Sequence, residues 1–254
     1  MKRLEGLTAI ITGGAKGLGI HYARTMAQQG CAVVIADIVD CTAPAAALSA
    51  EFSGIKVQGR TTDISREDSV RELVKFAVQE LGHIDILVNN AAVFATLAPT
   101  DVANMDVEIW DKVMAVNVRG TFLMCKHVAP LMTARRRGKI VNITSGVAYK
   151  GMGGMAHYAT SKGAITTFTR SLSKELGPFN VCVNNLAPGA IMSDTIVQNT
   201  AHMERYHTGS VASRAMRRDA YPKDLEGALL FLASGDSDFI TGQTIAVDGG
   251  SIYT

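Results

Sequence analysis

The sequence predicts an α/β chain: a doubly wound parallel sheet with helices on both faces. Three observations carry this reading. A short apolar run, residues 7–12, passes directly into a glycine-rich turn and then into a helical segment. Apolar, β-branched runs of strand length alternate with amphipathic stretches of helix length, joined by short connections. An acidic residue, Asp37, closes the second such run. Strand and helix in that rhythm call for right-handed crossovers and a sheet buried on both faces.

Composition sets the outer bounds. The chain has 254 residues, 47% hydrophobic and 19% charged, enough for a sizeable core in one domain spanning residues 1–254. A net charge of +2 leaves no nucleic-acid footprint. The basic run Arg135-Arg136-Arg137 with Lys139 reads as a solvated helix end, its cations facing the C-terminal dipole. The N-terminal stretch MKRLEGLTAIITGG holds no signal-peptide core, because Gly13 cuts its apolar run short, and no other stretch reaches membrane-spanning length. Cys31, Cys41, Cys125 and Cys182 are scattered without pairing or metal-ligand spacing. Free thiols, no metal site and a cytoplasmic location are therefore expected.

The elements follow in order. After the first strand comes Thr12-Gly13-Gly14-Ala15-Lys16-Gly17-Leu18-Gly19, then a helix from Ile20 to Gln29 stopped by Gly30. A glycine turn between strand and helix brings backbone N–H groups and a helix N-terminus to a phosphate. Residues 32–36 form the second strand, and Asp37 at its end can accept both hydroxyls of an adenine ribose while repelling a 2′-phosphate. That argues for NAD over NADP; Lys16, a cation in the turn, argues the other way and is given less weight. A helix over 43–52, a strand over 55–60, a helix over 66–81 opened by Ser65 and Asp68, and a strand over 84–88 come next. A long helical stretch over 107–134 carries Asn117 near its middle and is interrupted at its end by Pro130. Then come a strand over 139–144, a helix over 155–176, a strand over 181–186, a helix over 223–233 and a last strand over 244–247. The stretch of about 190–221, opened by Pro188-Gly189, is long enough to be a substrate loop. The whole reads as a single Rossmann-like domain.

The chemistry gathers between Ser145 and Lys162. Tyr158 and Lys162 are four positions apart in a helical segment and so share a face. A fixed ammonium beside a phenol favours phenolate, so the Tyr158 pKa is expected to fall, which suits an acid/base. Ser145, just past a strand, can hydrogen-bond a substrate oxygen.

These pieces together resemble the short-chain dehydrogenase/reductase family over essentially the whole chain: the glycine turn at 12–19, Asp37, Asp63-Ile64, the run NNAA at 89–92, Asn117, Ser145, Tyr158-x-x-x-Lys162, Pro188-Gly189 with Ser193, and TGQTIAVDGG at 241–250. The length is similar to that of the compact oxidoreductase branch. The resemblance implies that Tyr158 is the acid/base, that Lys162 lowers its pKa and holds the nicotinamide ribose, that Ser145 steadies the substrate oxygen, and that Asn117 positions a water in a proton path. It implies a cofactor site made by Gly13, Lys16, Gly17, Leu18, Gly19, Asp37, Ile38, Asp63, Ile64, Asn90, Ala91, Tyr158, Lys162, Pro188, Gly189, Ile191 and Ser193. Ala92 replaces the family's usual Gly and Ser193 its usual Thr.

The implied activity is NAD-dependent hydride transfer between a secondary alcohol and its ketone, on a small-molecule substrate, without nucleic-acid or membrane partners. Val93, Phe94, Val147, Met152, Met155, Ile191 and Met192, all expected at C-terminal strand ends beside Ser145 and Tyr158, form an apolar wall suited to a hydrophobic cyclic or aryl substrate. Lys150 and His157 are expected to face solvent. Arg205, Arg214, Arg217 and Arg218 in the loop keep a 3-oxoacyl-thioester reductase open as the rival, and an NAD(H)-binding redox sensor is the non-enzymatic alternative. Apolar residues on more than one face of the two long helices (Met114, Val118, Phe122, Ile165, Phe168), with the resemblance, lead to a homotetramer as the expected assembly.

Overall fold

The computed structural model describes residues 2–197 and 209–254. Seven strands, all parallel, form one sheet in the order β3-β2-β1-β4-β5-β6-β7. They are β1 (Thr8–Thr12), β2 (Ala32–Asp37), β3 (Val57–Thr61), β4 (Ile86–Asn89), β5 (Gly138–Ile143), β6 (Val181–Pro188) and β7 (Thr244–Val247). The order reverses between β1 and β4, and that switch point opens a crevice at the C-terminal strand ends.

Side chains of successive strand residues point to opposite faces, so each apolar run supplies two cores. Ile11, Ile35 and Val141 face one side, where they pack with Tyr22 and Met26 of α1 (Gly17–Gln28), Leu48 of α2 (Thr42–Glu51) and Leu225 and Leu229 of α9 (Lys223–Ala233). Ile10, Val34 and Ile140 face the other, against Leu73 of α3 (Glu67–Leu81), Met124 and Val128 of α5 (Thr121–Arg135), and Leu172 of α7 (Ala156–Leu176). Both faces being covered is why the strands read as unbroken apolar runs.

Observed boundaries depart from the expected ones by at most three residues, and three local readings change. Ser65 and Asp68 do not cap α3: Ser65 donates to the Asp63 carboxylate and Asp68 pairs with Arg66. The long helix is not uniform. After α4 (Val107–Val113), residues Met114–Gly120 form a π-helical turn, and α5 then runs on through Pro130 to Arg135. The basic run ends the helix as expected, with Arg135, Arg136 and Arg137 exposed, although Arg135 also reaches the buried Asp85 at 3.0 Å; Lys139 alone departs, lying buried in the sheet. The four cysteines are free and buried. Among the described residues, no helix is long and apolar enough to cross a membrane and no metal-binding group of His, Cys, Asp or Glu occurs.

Candidate active site

Three C-terminal strand ends carry the site. β5 leads into Ser145 and the short helix α6 (Val147–Lys150), and α7 then brings Tyr158 and Lys162 back over the strand. Tyr158 is 7% exposed and Lys162 is 4% exposed. They share a face of α7, with Lys162 Nζ 5.7 Å from the centre of the Tyr158 ring. That ammonium donates to the Ile143 carbonyl at 2.7 Å.

This geometry corrects one expectation. Burial pushes the Tyr158 phenol above its usual range, and the side chain of Ser145 pulls it back only in part. Burial also draws Lys162 down, to about 8. Desolvation sets the direction, because the phenol lies under apolar cover. The phenol is thus held protonated.

The cover is specific. The Phe94 ring lies 4.5 Å from the Tyr158 ring, centre to centre, at a 35° tilt. Leu97, Val113 and Met155 are buried around Tyr158, with Val93, Val147 and Met152 packed against them. Met155 is fully enclosed and backs the tyrosine instead of facing a ligand. Ile191 belongs to the sheet core on the α1 side, and Met192 is buried outside this cluster, its N–H donating to the Ala220 carbonyl at 2.7 Å. His157 is buried, not solvent-facing, and its Nδ1 accepts the Tyr158 N–H at 2.9 Å. Lys150 is exposed, as expected, and donates to Ser251.

Asn117 sits in the π turn, a distortion that recurs at functional sites. Its Oδ1 accepts the Val93 N–H at 2.8 Å, and its Nδ2 donates to Ser161 Oγ at 3.0 Å. Ser161 in turn donates to the Tyr158 carbonyl at 2.8 Å. The loop after β4, the π turn and α7 are thereby joined at the candidate tetrad. Ser161 escaped the sequence reading; its signal was the serine directly before Lys162, on a turn of α7 that must face Asn117. Leu97 and Val113 escaped it too, because neither adjoins a motif.

A dinucleotide fits the crevice. Gly13 and Gly17 adopt left-handed φ of 64° and 55°. A Cβ on Gly13 would stand 2.8 Å from Ala91 Cα, and one on Gly19 would stand 1.9 Å from the Gly13 carbonyl oxygen. Side chains are excluded there, and the backbone of the turn is brought to the crevice, with Leu18 beside it. Asn90 ties its far wall by donating from Nδ2 to the carbonyls of Thr12 and Gly13. The Asp37 carboxylate accepts the N–H groups of Ala15 and Val39 at 3.2 and 3.3 Å, which stations it at the rim of the turn. Lys16 and Ile38 beside it are exposed. Asp63 turns its carboxylate back onto Ser65. Ile64 is not an open wall: it packs into the core under Gly120, where a Cβ would stand 2.7 Å from its Cδ1. Pro188 accepts the Gly146 N–H, Gly189 donates to Val247, and the buried Ser193 begins the turn into α8 (Asp194–Val197).

The loop arginines are largely committed. Arg214 is buried, donating to the carbonyls of Ala190 and Arg218 at 2.6 and 2.5 Å. Arg218 pairs with Asp224 through two hydrogen bonds, and Arg217 is exposed. Arg205 and the rest of 198–208, the middle of the expected substrate loop, lie outside the described residues.

Comparison with known proteins agrees with the geometry. A family model described as enoyl-(acyl carrier protein) reductase matches residues 13–251. The chain is 37% identical over 260 residues to galactitol 2-dehydrogenase of Agrobacterium fabrum, covering 98% of each chain. It is 34% identical over 250 residues to the 3-oxoacyl-(acyl-carrier-protein) reductase FabG of Thermotoga maritima, covering 98% of this chain and 99% of that one. A solved structure titled short chain dehydrogenase/reductase family protein superimposes with a TM-score of 0.84 at 35% identity, over 98% of both chains.

Proposed function

This chain belongs to the short-chain dehydrogenase/reductase family, and on that premise we propose that it interconverts a hydrophobic secondary alcohol and its ketone, with NAD(H) as cofactor and Tyr158 as the acid/base. The observation that carries this reading is the Tyr158 side chain buried beneath Phe94, Leu97 and Val113, with Lys162 on the same face of α7 and Ser161 joining it to Asn117. When bound, the nicotinamide supplies the hydride donor or acceptor. The chain's own residues bind and hold protons. Gly13, Gly17, Leu18 and Gly19 receive the diphosphate, and Asp37 the adenine ribose. Tyr158 gives its proton to the substrate oxygen as it becomes alkoxide-like, and Ser145 adds a second hydrogen bond to the same oxygen. Lys162, anchored on the Ile143 carbonyl, would hold the nicotinamide ribose.

Apolar cover favours an apolar substrate body, since each buried methylene contributes about 0.8 kcal/mol. The carboxylate of Asp37 argues against a 2′-phosphate, because like charges a few ångströms apart cost on the order of 1–4 kcal/mol and 1.4 kcal/mol is tenfold. A 3-oxoacyl-thioester reductase is the second reading, favoured by the name of the Thermotoga relative. Against it, Arg214 and Arg218 already serve their own chain.

Steady-state kinetics test this. NADH and NADPH would each be followed with an aryl or cyclic ketone, a short oxo acid and an oxoacyl thioester. The ketone with NADH should give the highest kcat/KM, with NADH preferred at least tenfold, and Tyr158→Phe should lose orders of magnitude in kcat while NADH binding persists. A thioester in first place moves the binding role to the loop. Turnover near wild type in Tyr158→Phe removes the tyrosine from the chemistry.

A further inference from the structure

At the opposite end of the sheet, a charged lysine and a thiol lie together with no part in the site above. Lys139 of β5 and Cys182 of β6 are register partners on adjacent parallel strands, and both are buried. Lys139 Nζ stands 3.5 Å from Cys182 Sγ. Ser237 Oγ at 3.2 Å and Asp238 Oδ1 at 2.8 Å hold the ammonium against the sulfur. The Cys182 thiol points the same way, toward the Asp238 carbonyl at 3.5 Å. The Asp238 side chain is 77% exposed, so solvent reaches the mouth of this cluster.

The other thiols lack this arrangement. Cys31 and Cys41 face backbone carbonyls, and Cys125 accepts from the Asn89 amide. Burial pushes Cys41 up to about 11 and Cys125 up to about 12, which marks them as inert. Among the described residues, Cys182 is the one thiol with an amine at contact distance.

We propose that Lys139 and Cys182 are an oxidant-sensitive pair that closes into a covalent nitrogen–sulfur bridge, a sulfenamide, when the protein meets a peroxide. In the first step the Cys182 sulfur attacks a peroxide oxygen and the O–O bond breaks. Sulfur loses two electrons to the peroxide, and a sulfenic acid and one water result. In the second step Lys139, having released one proton to solvent past Asp238, attacks the oxidised sulfur through Nζ. The N–S bond forms, the S–O bond breaks, and the hydroxyl leaves as water with a second proton from the nitrogen. The sum is one ammonium, one thiol and one hydrogen peroxide giving the bridge, two waters and one proton. Holding the amine at contact distance makes this closure intramolecular, which favours it over a second oxidation of the sulfur.

The bridge would close a loop spanning 43 positions that contains Ser145, Tyr158 and Lys162. A cross-link of that kind narrows the unfolded ensemble and raises the unfolding midpoint. It touches no residue of the candidate site, so the reduced Cys182→Ser protein should keep basal activity.

The test is intact mass and peptide mapping of the full chain before and after hydrogen peroxide. The expected product is lighter by two hydrogens, links the Lys139 and Cys182 peptides, reverts with dithiothreitol, and melts several degrees higher. Cys182→Ser and Lys139→Arg should each abolish the link and the melting shift, while Lys139→Arg keeps a cation for Asp238. Cys182 recovered as sulfinic acid beside a free Lys139, or left unoxidised, overturns the proposal.

Discussion

The candidate acid/base pair is governed by burial more than by mutual charge. Lys162 sits near the Tyr158 ring yet donates its hydrogen bond to the Ile143 carbonyl, and burial pushes both groups toward their neutral forms. This has a measurable sign. Lys162 titrates at about 8 in the folded chain against 10.5 for a free lysine, so between those pH values the unfolded chain binds the extra proton. Stability from this group therefore rises as pH climbs from 8 to 10.5. Tyr158, shifted upward, works the other way above pH 10, as do the buried cysteines above pH 9. The clean measurement is the difference between wild type and Lys162→Met. Wild type should gain relative to the variant across that window in urea melts, and a flat difference would show that Lys162 is fully charged throughout.

Two elements set the geometry, one by lacking side chains and one by an extra residue per turn. The glycine turn closes on itself: the missing Cβ of Gly19 leaves room for the Gly13 carbonyl, and no rotamer relieves that contact because both atoms belong to the main chain. Gly19→Ala should cost at least about 2 kcal/mol and abolish NADH binding measured by fluorescence titration. Retained binding at wild-type stability would mean the turn can open. The π turn between α4 and α5 acts differently. By inserting a residue it swings Asn117 inward to Val93 and Ser161, while Gly120 at its end admits Ile64. Helical periodicity alone predicted one long helix here, since a single inserted residue hardly disturbs an apolar pattern.

For the whole molecule, the same α4 to α5 surface leaves apolar residues uncovered. Phe122 is 46% exposed and meets Phe168 edge-on at 6.4 Å, and Met114 and Val118 line a groove beside it with Asp111, Lys112 and Arg119. Ile165, counted among the outward residues from sequence, is buried within its own chain. Of the remaining four only Phe122 is exposed, while Met114, Val118 and Phe168 are half-buried beside it, and a homotetramer stays a proposal resting on this face and on the family resemblance. Light scattering at micromolar concentration should return about four times the 27.0 kDa chain mass. A monomeric mass would show that this face stays in water.

Legible in the sequence were a parallel doubly wound sheet, its right-handed crossovers and, with the family resemblance, the residues of the candidate tetrad. Those features rest on local signals: apolar runs of strand length, glycines between a strand and a helix, and a Tyr–Lys pair at helical spacing. How far each group lies from water, and what stands beside it, came from the folded chain. Tyr158 is raised and not lowered because Phe94, Leu97 and Val113, distant in sequence, remove its solvent. The Ile64 and Met155 side chains are enclosed, Ile64 against Gly120 and Met155 behind Tyr158. Lys139 leaves the basic run because strand register sets it against Cys182. Burial and register are sums over non-local contacts, and no local pattern of residue types contains them.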